Sequence, residues 1–382
     1  MGALGFMAAG CSATLLGIGL ARFAYSPLLP AMVQAGWLGA GAAGALGAAN
    51  LAGYLGGALA ATSVGRRLGV ARALRLAMLL SAASFALCAV RGNLLWFLPW
   101  RVLAGFTGGV LMVLAGPAVQ AAVPARMRGL ASGVTIAGVG LGIVAGAVLV
   151  PALVPVGLPA AWLALCAAGF AVAAASWTLW PPADPPAARA FHRAFVPGAG
   201  GLVATYGLAA VAATPQMLWW PDFIARGLGW GSAAAGLFWL LYGVGAACGP
   251  TLCGALADRF GSAAAVSATL GAQAIAVLLP LLGHGLPLLV VSTALAGLTA
   301  LGITALGLLR SRELAGEAGA ALWSLCTITW GAAQALAGFL LAWLYTAAGT
   351  HSALFAAGVL AALLALALAA RPLAVAYARA PR

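Results

Sequence analysis

Apolar runs long enough to cross a bilayer follow one another along this chain almost without pause. They are separated by short turns that carry glycine, proline and arginine. A spanning helix needs about 20 consecutive apolar residues, and on that measure twelve spans are expected. The first six are Ala3–Met32, Leu38–Ser63, Leu74–Val90, Leu94–Val123, Gly129–Val154 and Ala160–Trp180. A Pro-rich stretch from Pro181 to Pro186 and a basic stretch from Arg189 to Arg193 then make a short linker. Phe195–Trp220, Ser232–Ala257, Ser262–Leu282, Leu286–Leu309, Gly319–Ala347 and Ser352–Ala370 complete the set. The first run lacks a basic leader and is too long for a cleaved signal peptide, so it is read as a span.

Composition agrees with that pattern. Of 382 residues 64% are hydrophobic and 6% charged, against about 25% charged in an ordinary soluble domain. A mean hydropathy of +1.10 leaves no room for a sizeable soluble domain. The net charge of +13 is not a nucleic-acid signature, because all 18 basic residues are arginines scattered singly or in pairs between apolar runs. They follow the positive-inside rule instead. Fourteen fall on the side that holds both termini, including Arg66, Arg67, Arg72, Arg75, Arg126, Arg128 and Arg259, and two, Arg91 and Arg226, fall opposite. Both termini are therefore expected in the cytoplasm of a bacterial cell, with the chain in its inner membrane. Six cysteines lie within apolar runs and form no CxxC pair, which makes them small packing residues.

The halves repeat. A shift of 192 residues carries Gly53 and Gly57 onto Gly245 and Gly249, Arg67 and Gly69 onto Arg259 and Gly261, and Gly105 onto Gly297. The fold class expected is an all-α polytopic membrane protein with twelve transmembrane helices in two pseudo-symmetric six-helix bundles. Residues 1–180 form the first bundle, 181–194 a cytoplasmic linker and 195–382 the second. Glycines spaced by four, such as Gly105 and Gly109, let helices approach closely.

Polar residues inside spans are costly and mark candidate sites. Arg22 lies roughly 13 Å below Ala31, and Arg101 about 10 Å below Leu94, by the helical rise of 1.5 Å. Pro27 and Pro30 are expected to bend or end the first helix just above Arg22. No Asp or Glu precedes Asp184, so the first half offers neither arginine a carboxylate. Tyr25 and Ser26 lie on Arg22's side of its helix. Trp323, Thr327, Trp330 and Gln334 share one face of the eleventh span by their spacing. Asn50, Tyr206, Gln216 and Tyr242 are weaker candidates. Trp219 and Trp220 are expected in the interfacial belt, Asp222 in a solvated loop, and His284 and His351 at the surface.

Motifs sharpen the class. Gly254-Ala-Leu-Ala-Asp258-Arg259-Phe-Gly261 closely resembles the loop signature of the major facilitator superfamily. Arg101-Val-Leu-Ala-Gly105 resembles its second signature. Gly138-Val-Gly-Leu-Gly142-Ile-Val-Ala-Gly146 is similar to its antiporter signature, with Ile143 where that pattern has proline. Gly17-Ile-Gly-Leu-Ala-Arg22-Phe-Ala-Tyr-Ser-Pro-Leu-Leu-Pro30 looks like the YbfB/YjiJ branch. The resemblance implies a gating role for Gly254, Asp258, Arg259, Gly261, Arg67 and Gly69, and helix packing for Gly105, Gly109, Gly138, Gly142 and Gly146. The first-half loop has Arg66 where the family has aspartate, so the cytoplasmic latch would rest on the second half.

No enzyme motif appears. Gly140-x-Gly142 sits in an apolar helix and follows no strand, and there is no HExxH, no GxSxG and no paired in-membrane carboxylate. The reading is a monomeric secondary transporter working by alternating access, without cofactor or metal. Its partners are a small-molecule substrate, the bilayer and a coupling proton or ion, with no nucleic acid. Two acid-free arginines favour a small organic anion. The rival is efflux of apolar or cationic compounds, and a channel stands third.

Overall fold

A computed structural model describes residues 2–181 and 196–379. Twelve long helices follow in chain order among them, with no strand. They are α1 (Ala3–Gln34), α2 (Ala40–Leu68), α3 (Val70–Cys88), α4 (Leu94–Ala122), α5 (Arg128–Leu153) and α6 (Leu158–Ser176). Then come α7 (Ala199–Gly227), α8 (Gly231–Phe260), α9 (Ser262–Leu282), α10 (Leu286–Ala315), α11 (Gly319–Ala348) and α12 (His351–Arg379). Apart from Pro181, the expected linker 181–194, with Asp184, Arg189 and Arg193, lies outside the described residues.

The chain forms two compact units, Met1–Pro124 with Val134–Ala190, and Ala125–Gly133 with Phe191–Arg382. The opening of α5 thus groups with the second unit. Both units invert the soluble pattern. Leu95, Leu237, Phe339 and Trp343 are exposed, while Asn50, Gln120, Gln216, Gln273 and Gln334 are buried. A bilayer makes this sensible, since hydrocarbon accepts apolar side chains and refuses unpaired polar ones.

Glycine sets the helix spacing. In the first unit α2 crosses α4 so closely that a Cβ on Gly53 would lie 2.2 Å from the Val102 carbonyl oxygen, and one on Gly57 2.0 Å from that of Phe106. Gly105 and Gly109 reciprocate, at 1.9 Å from the Asn50 oxygen and 2.2 Å from the Tyr54 oxygen. The second unit repeats the arrangement between α8 and α10. There Gly245, Gly249 and Gly297 would place a Cβ 2.5, 2.2 and 2.1 Å from the carbonyl oxygens of Ala294, Leu298 and Tyr242. Each contact is far inside van der Waals distance, so any side chain would force the pair apart. Gly138, Gly142 and Gly146 of α5 do the same for α1, with a Cβ falling 2.0 Å from the Cys11 oxygen, 2.5 Å from Gly19 Cα and 2.7 Å from Ala24 Cβ.

The short turns repeat as well. Gly69 between α2 and α3 has φ 78°, and its counterpart Gly261 between α8 and α9 has φ 86°. These left-handed values suit glycine alone and let two long helices reverse across a single residue. Asn93 starts α4, its side chain accepting from the Trp96 amide at 3.0 Å.

Two helices depart from regular winding. From Leu15 to Phe23, α1 widens to five-residue (π) spacing and then resumes as Tyr25–Gln34. The expectation that Pro27 and Pro30 break this helix is therefore corrected for its position. The irregularity lies ahead of them, and Pro27 falls in the first turn of the resumed segment, where a missing N–H costs little. In α7 the same wide spacing recurs over Pro215–Trp219 and Phe223–Gly227. That helix continues past Trp220 instead of ending there. Wide turns of this kind are rare and frequent at functional sites.

Candidate substrate-binding site

In the first unit the wide segment of α1 carries Arg22 and faces Arg101 of α4. Arg101 is 1% exposed. Its Nη1 donates to the Ala21 carbonyl oxygen at 3.0 Å, and its guanidinium carbon stands 4.3 Å above the centre of the Tyr25 ring. Buried Nε has no hydrogen-bond partner. Asn50 of α2 fixes the backbone beneath, its Nδ2 donating to the Arg101 carbonyl oxygen at 3.2 Å. Tyr25 is in turn held by Trp162 of α6, ring centres 6.3 Å apart, and Trp162 packs on Phe85 of α3.

Arg22 is half-buried, with its guanidinium carbon 5.3 Å from the centre of the Phe23 ring. Burying the Arg101 guanidinium with no carboxylate in its own unit's described residues costs several kcal/mol. One carbonyl and one aromatic face, the latter worth about 0.5–2 kcal/mol, offset only part of that. The nearest thing to an answer within residues 2–181 is absent by composition, because they contain no Asp or Glu. The arrangement therefore has an electrostatic debt that an anion would cancel. Ser26, next to Tyr25, is exposed.

In the second unit Tyr206 of α7 meets two members of the predicted α11 stripe. Its ring centre is 4.8 Å from that of Trp330 and 6.1 Å from that of Trp323. Thr327 bonds back to the Trp323 carbonyl oxygen at 2.9 Å, and Gln334 Nε2 points to Met217 Sδ at 3.2 Å. All five are buried. Gln216 is buried too, donating to the Ala276 carbonyl oxygen at 3.1 Å and to Ser292 Oγ at 2.8 Å.

The loop-signature residues hold the start of α5. Asp258 accepts from the Gly129 amide at 2.9 Å through Oδ1 and from the Leu130 amide at 2.8 Å through Oδ2. These are first-turn N–H groups with no partner inside the helix, and the positive helix end favours a carboxylate. Gly254 makes room, since a Cβ there would fall 2.1 Å from the Gly129 oxygen. Arg259 lies 5.2 Å from the Phe260 ring centre, and Arg67 is exposed.

Three expectations are corrected. Trp220 is not interfacial: it is fully buried, with Nε1 donating to Thr293 Oγ1 at 3.0 Å. Asp222 is not in a loop, because α7 runs on through it to Gly227. His351 is not a surface residue: it is 8% exposed, and its Nε2 stands 2.9 Å from Asp222 Oδ2. These partners are 129 positions apart, so no local pattern could pair them. The one local signal was the i,i+4 spacing of Asp222 and Arg226, which do bond.

Helices, repeat and signatures together define a multi-pass transporter of the major facilitator class. The fold matches the human organic anion transporter MFSD10 (TETRAN) with a TM-score of 0.79 at 18% identity, covering 97% of this chain and 100% of that one. It matches the E. coli fucose:proton symporter FucP with a TM-score of 0.73 at 16% identity, covering 95% and 97%. A proton:xylose symporter, XylE, solved with 6-bromo-6-deoxy-D-glucose, matches with 0.74 at 16% identity over 94% of each chain. No curated protein sequence matches. Residues 14–371 match the family model described as the uncharacterised MFS-type transporter YbfB, and the chain belongs to that family.

Proposed function

We propose that this protein is a secondary active transporter of the bacterial inner membrane that carries a small organic anion by alternating access. The observation that carries the reading is Arg101, a buried guanidinium with an unpartnered Nε, in a bundle that supplies no carboxylate. Arg22, Tyr25 and Asn50 complete the proposed site, with Arg22 as the second charge. The name of the structurally similar human protein, an organic anion transporter, agrees with this reading. Both termini face the cytoplasm in this reading, which the arginine distribution supports. Asp258 acts as the cytoplasmic latch, capping α5 in one state of the cycle and releasing it in another. Gly254, Gly261, Arg259, Arg67 and Gly69 shape the two cytoplasmic turns.

The rival, efflux of apolar or cationic compounds, draws on the aromatic cluster of Tyr206, Trp323 and Trp330. Among the described residues no Asp or Glu, the usual answer to a cationic cargo, is fully buried. Proteoliposomes separate the readings. A carrier for anions shows saturable, counterflow-competent uptake of a labelled carboxylate. Conductance without counterflow indicates a channel, and counterflow of cationic dyes alone supports efflux.

A further inference from the structure

The second unit contains a charged cluster that the anion site does not use. It joins the C-terminal end of α7 to the first residue of α12. Asp222 is shared between two side chains, with Oδ1 bonded to Arg226 Nε and Oδ2 facing His351 Nε2 at 2.9 Å. Aromatic rings enclose the imidazole on its other sides. Tyr345 of α11 is 4.8 Å away, Phe223 5.4 Å and Trp219 6.4 Å, measured between ring centres. Gly227 leaves room beside Nδ1, where a Cβ would lie 3.1 Å away.

We infer that His351 is a proton-binding site, with Asp222 as its counter-charge and the outer segment of α7 as the element whose position the proton sets. Two features give the imidazole both of its states. A proton on Nδ1 makes an imidazolium, which Asp222 pairs at Nε2, with the rings of Tyr345 and Phe223 beside it. When that proton leaves to water, Nε2–H still bonds Oδ2, and Arg226 alone balances the carboxylate. Neither state strands a charge. Of the other groups facing the cluster, Arg226 keeps its charge near neutrality, since its bond to Asp222 favours the charged form. His284 meets the far ring of the cage, 5.6 Å from Phe223, and α9 carries no titratable side chain.

The mechanical consequence follows from where the pair sits. Asp222 lies between the two wide-turn segments of α7, Pro215–Trp219 and Phe223–Gly227. Residues wound this loosely, with Pro215 and Pro221 removing two amide donors, move more readily than a regular helix. An ion pair to α12 holds them, and a neutral hydrogen bond holds them less. The tie is strong when the imidazole carries its second proton and looser when it does not. This proton site shares no residue with the anion site, so either can fail alone.

The test is deuterium exchange on the full chain in lipid nanodiscs at about pH 5.5 and about pH 8, corrected for intrinsic rates. Peptides covering residues 215–227 are expected to exchange about tenfold more slowly at the acid pH, the difference between a charged and a neutral hydrogen bond. His351→Gln abolishes that pH dependence, and Asp222→Asn does the same. A variant with His192→Gln and His284→Gln keeps it. Equal protection of the wild-type segment at both pH values overturns the proton site without relying on any variant. Persistence of the pH dependence in His351→Gln overturns it equally.

Discussion

Replacing Asp258 with asparagine isolates the latch. The carboxylate takes two first-turn amides of α5, Gly129 at 2.9 Å and Leu130 at 2.8 Å, one on each oxygen. Asparagine keeps the shape but offers one acceptor, so one amide then faces an NH₂ group. The lost bond is a charge-assisted one, about 1.5–3 kcal/mol, and the bond that survives falls to the neutral range of about 0.5–1.5 kcal/mol. Loss of the charge at the helix N-terminus removes roughly 0.3–1 kcal/mol more. Allowing for overlap among these, the first turn is destabilised by about 2–3 kcal/mol, or roughly 30- to 150-fold in its opening equilibrium. Deuterium exchange of peptides covering residues 125–133 reads this directly, with α4 peptides as the internal reference. Protection that survives the substitution within about threefold, less than one neutral hydrogen bond, refutes the cap.

Two further outcomes follow from geometry alone. Gly57→Ala pushes a methyl to within 2.0 Å of the Phe106 oxygen, whereas at neighbouring Gly56 the nearest atom is 3.9 Å away. The first substitution is expected to cost about 1–3 kcal/mol and to lower the melting temperature by several degrees. Gly56→Ala, which gains helix propensity, leaves it unchanged or raises it, and a melting scan of both variants decides. In a background without native cysteines, Arg66→Cys is expected to label only from the cytoplasmic side of intact cells or inverted vesicles, and Arg91→Cys only from outside. Labelling of both from one side contradicts the charge-based topology.

Much of the fold is legible in the pattern because a bilayer allows only a few solutions. Spans four, five and nine begin and end within a residue of their sequence-derived limits, since Asn93, the Arg126–Arg128 turn and Gly261 punctuate them sharply. The sequence reading ends span seven at Trp220 with Asp222 in a loop, whereas α7 runs on to Gly227. Wide-turn winding carries the helix through that residue, and periodicity rules assume regular turns. The same blindness placed the break of α1 at its prolines instead of ahead of them. Within the candidate site, the burial of Arg101 was legible as a charge inside an apolar span, and the lack of acids in residues 2–181 from composition. Its bond to Ala21 and its seat on Tyr25 were not, because both depend on how α1 is wound opposite α4. Tyr206 was found only as a lone polar aromatic. Its contact with Trp330 arises from the pairing of α7 with α11, which spacing along either helix does not encode.

The anion site is tested most directly by matched ligands. Purified full-length protein is screened by thermal shift against small carboxylates and against their primary amides, which keep shape and lose charge. Carboxylates are expected to stabilise the wild type while their amides do not, and the shift disappears in Arg22→Gln and Arg101→Gln variants that still melt cooperatively. Equal stabilisation by acid and amide, or carboxylate binding that survives both substitutions, contradicts a site built on these two guanidinium groups.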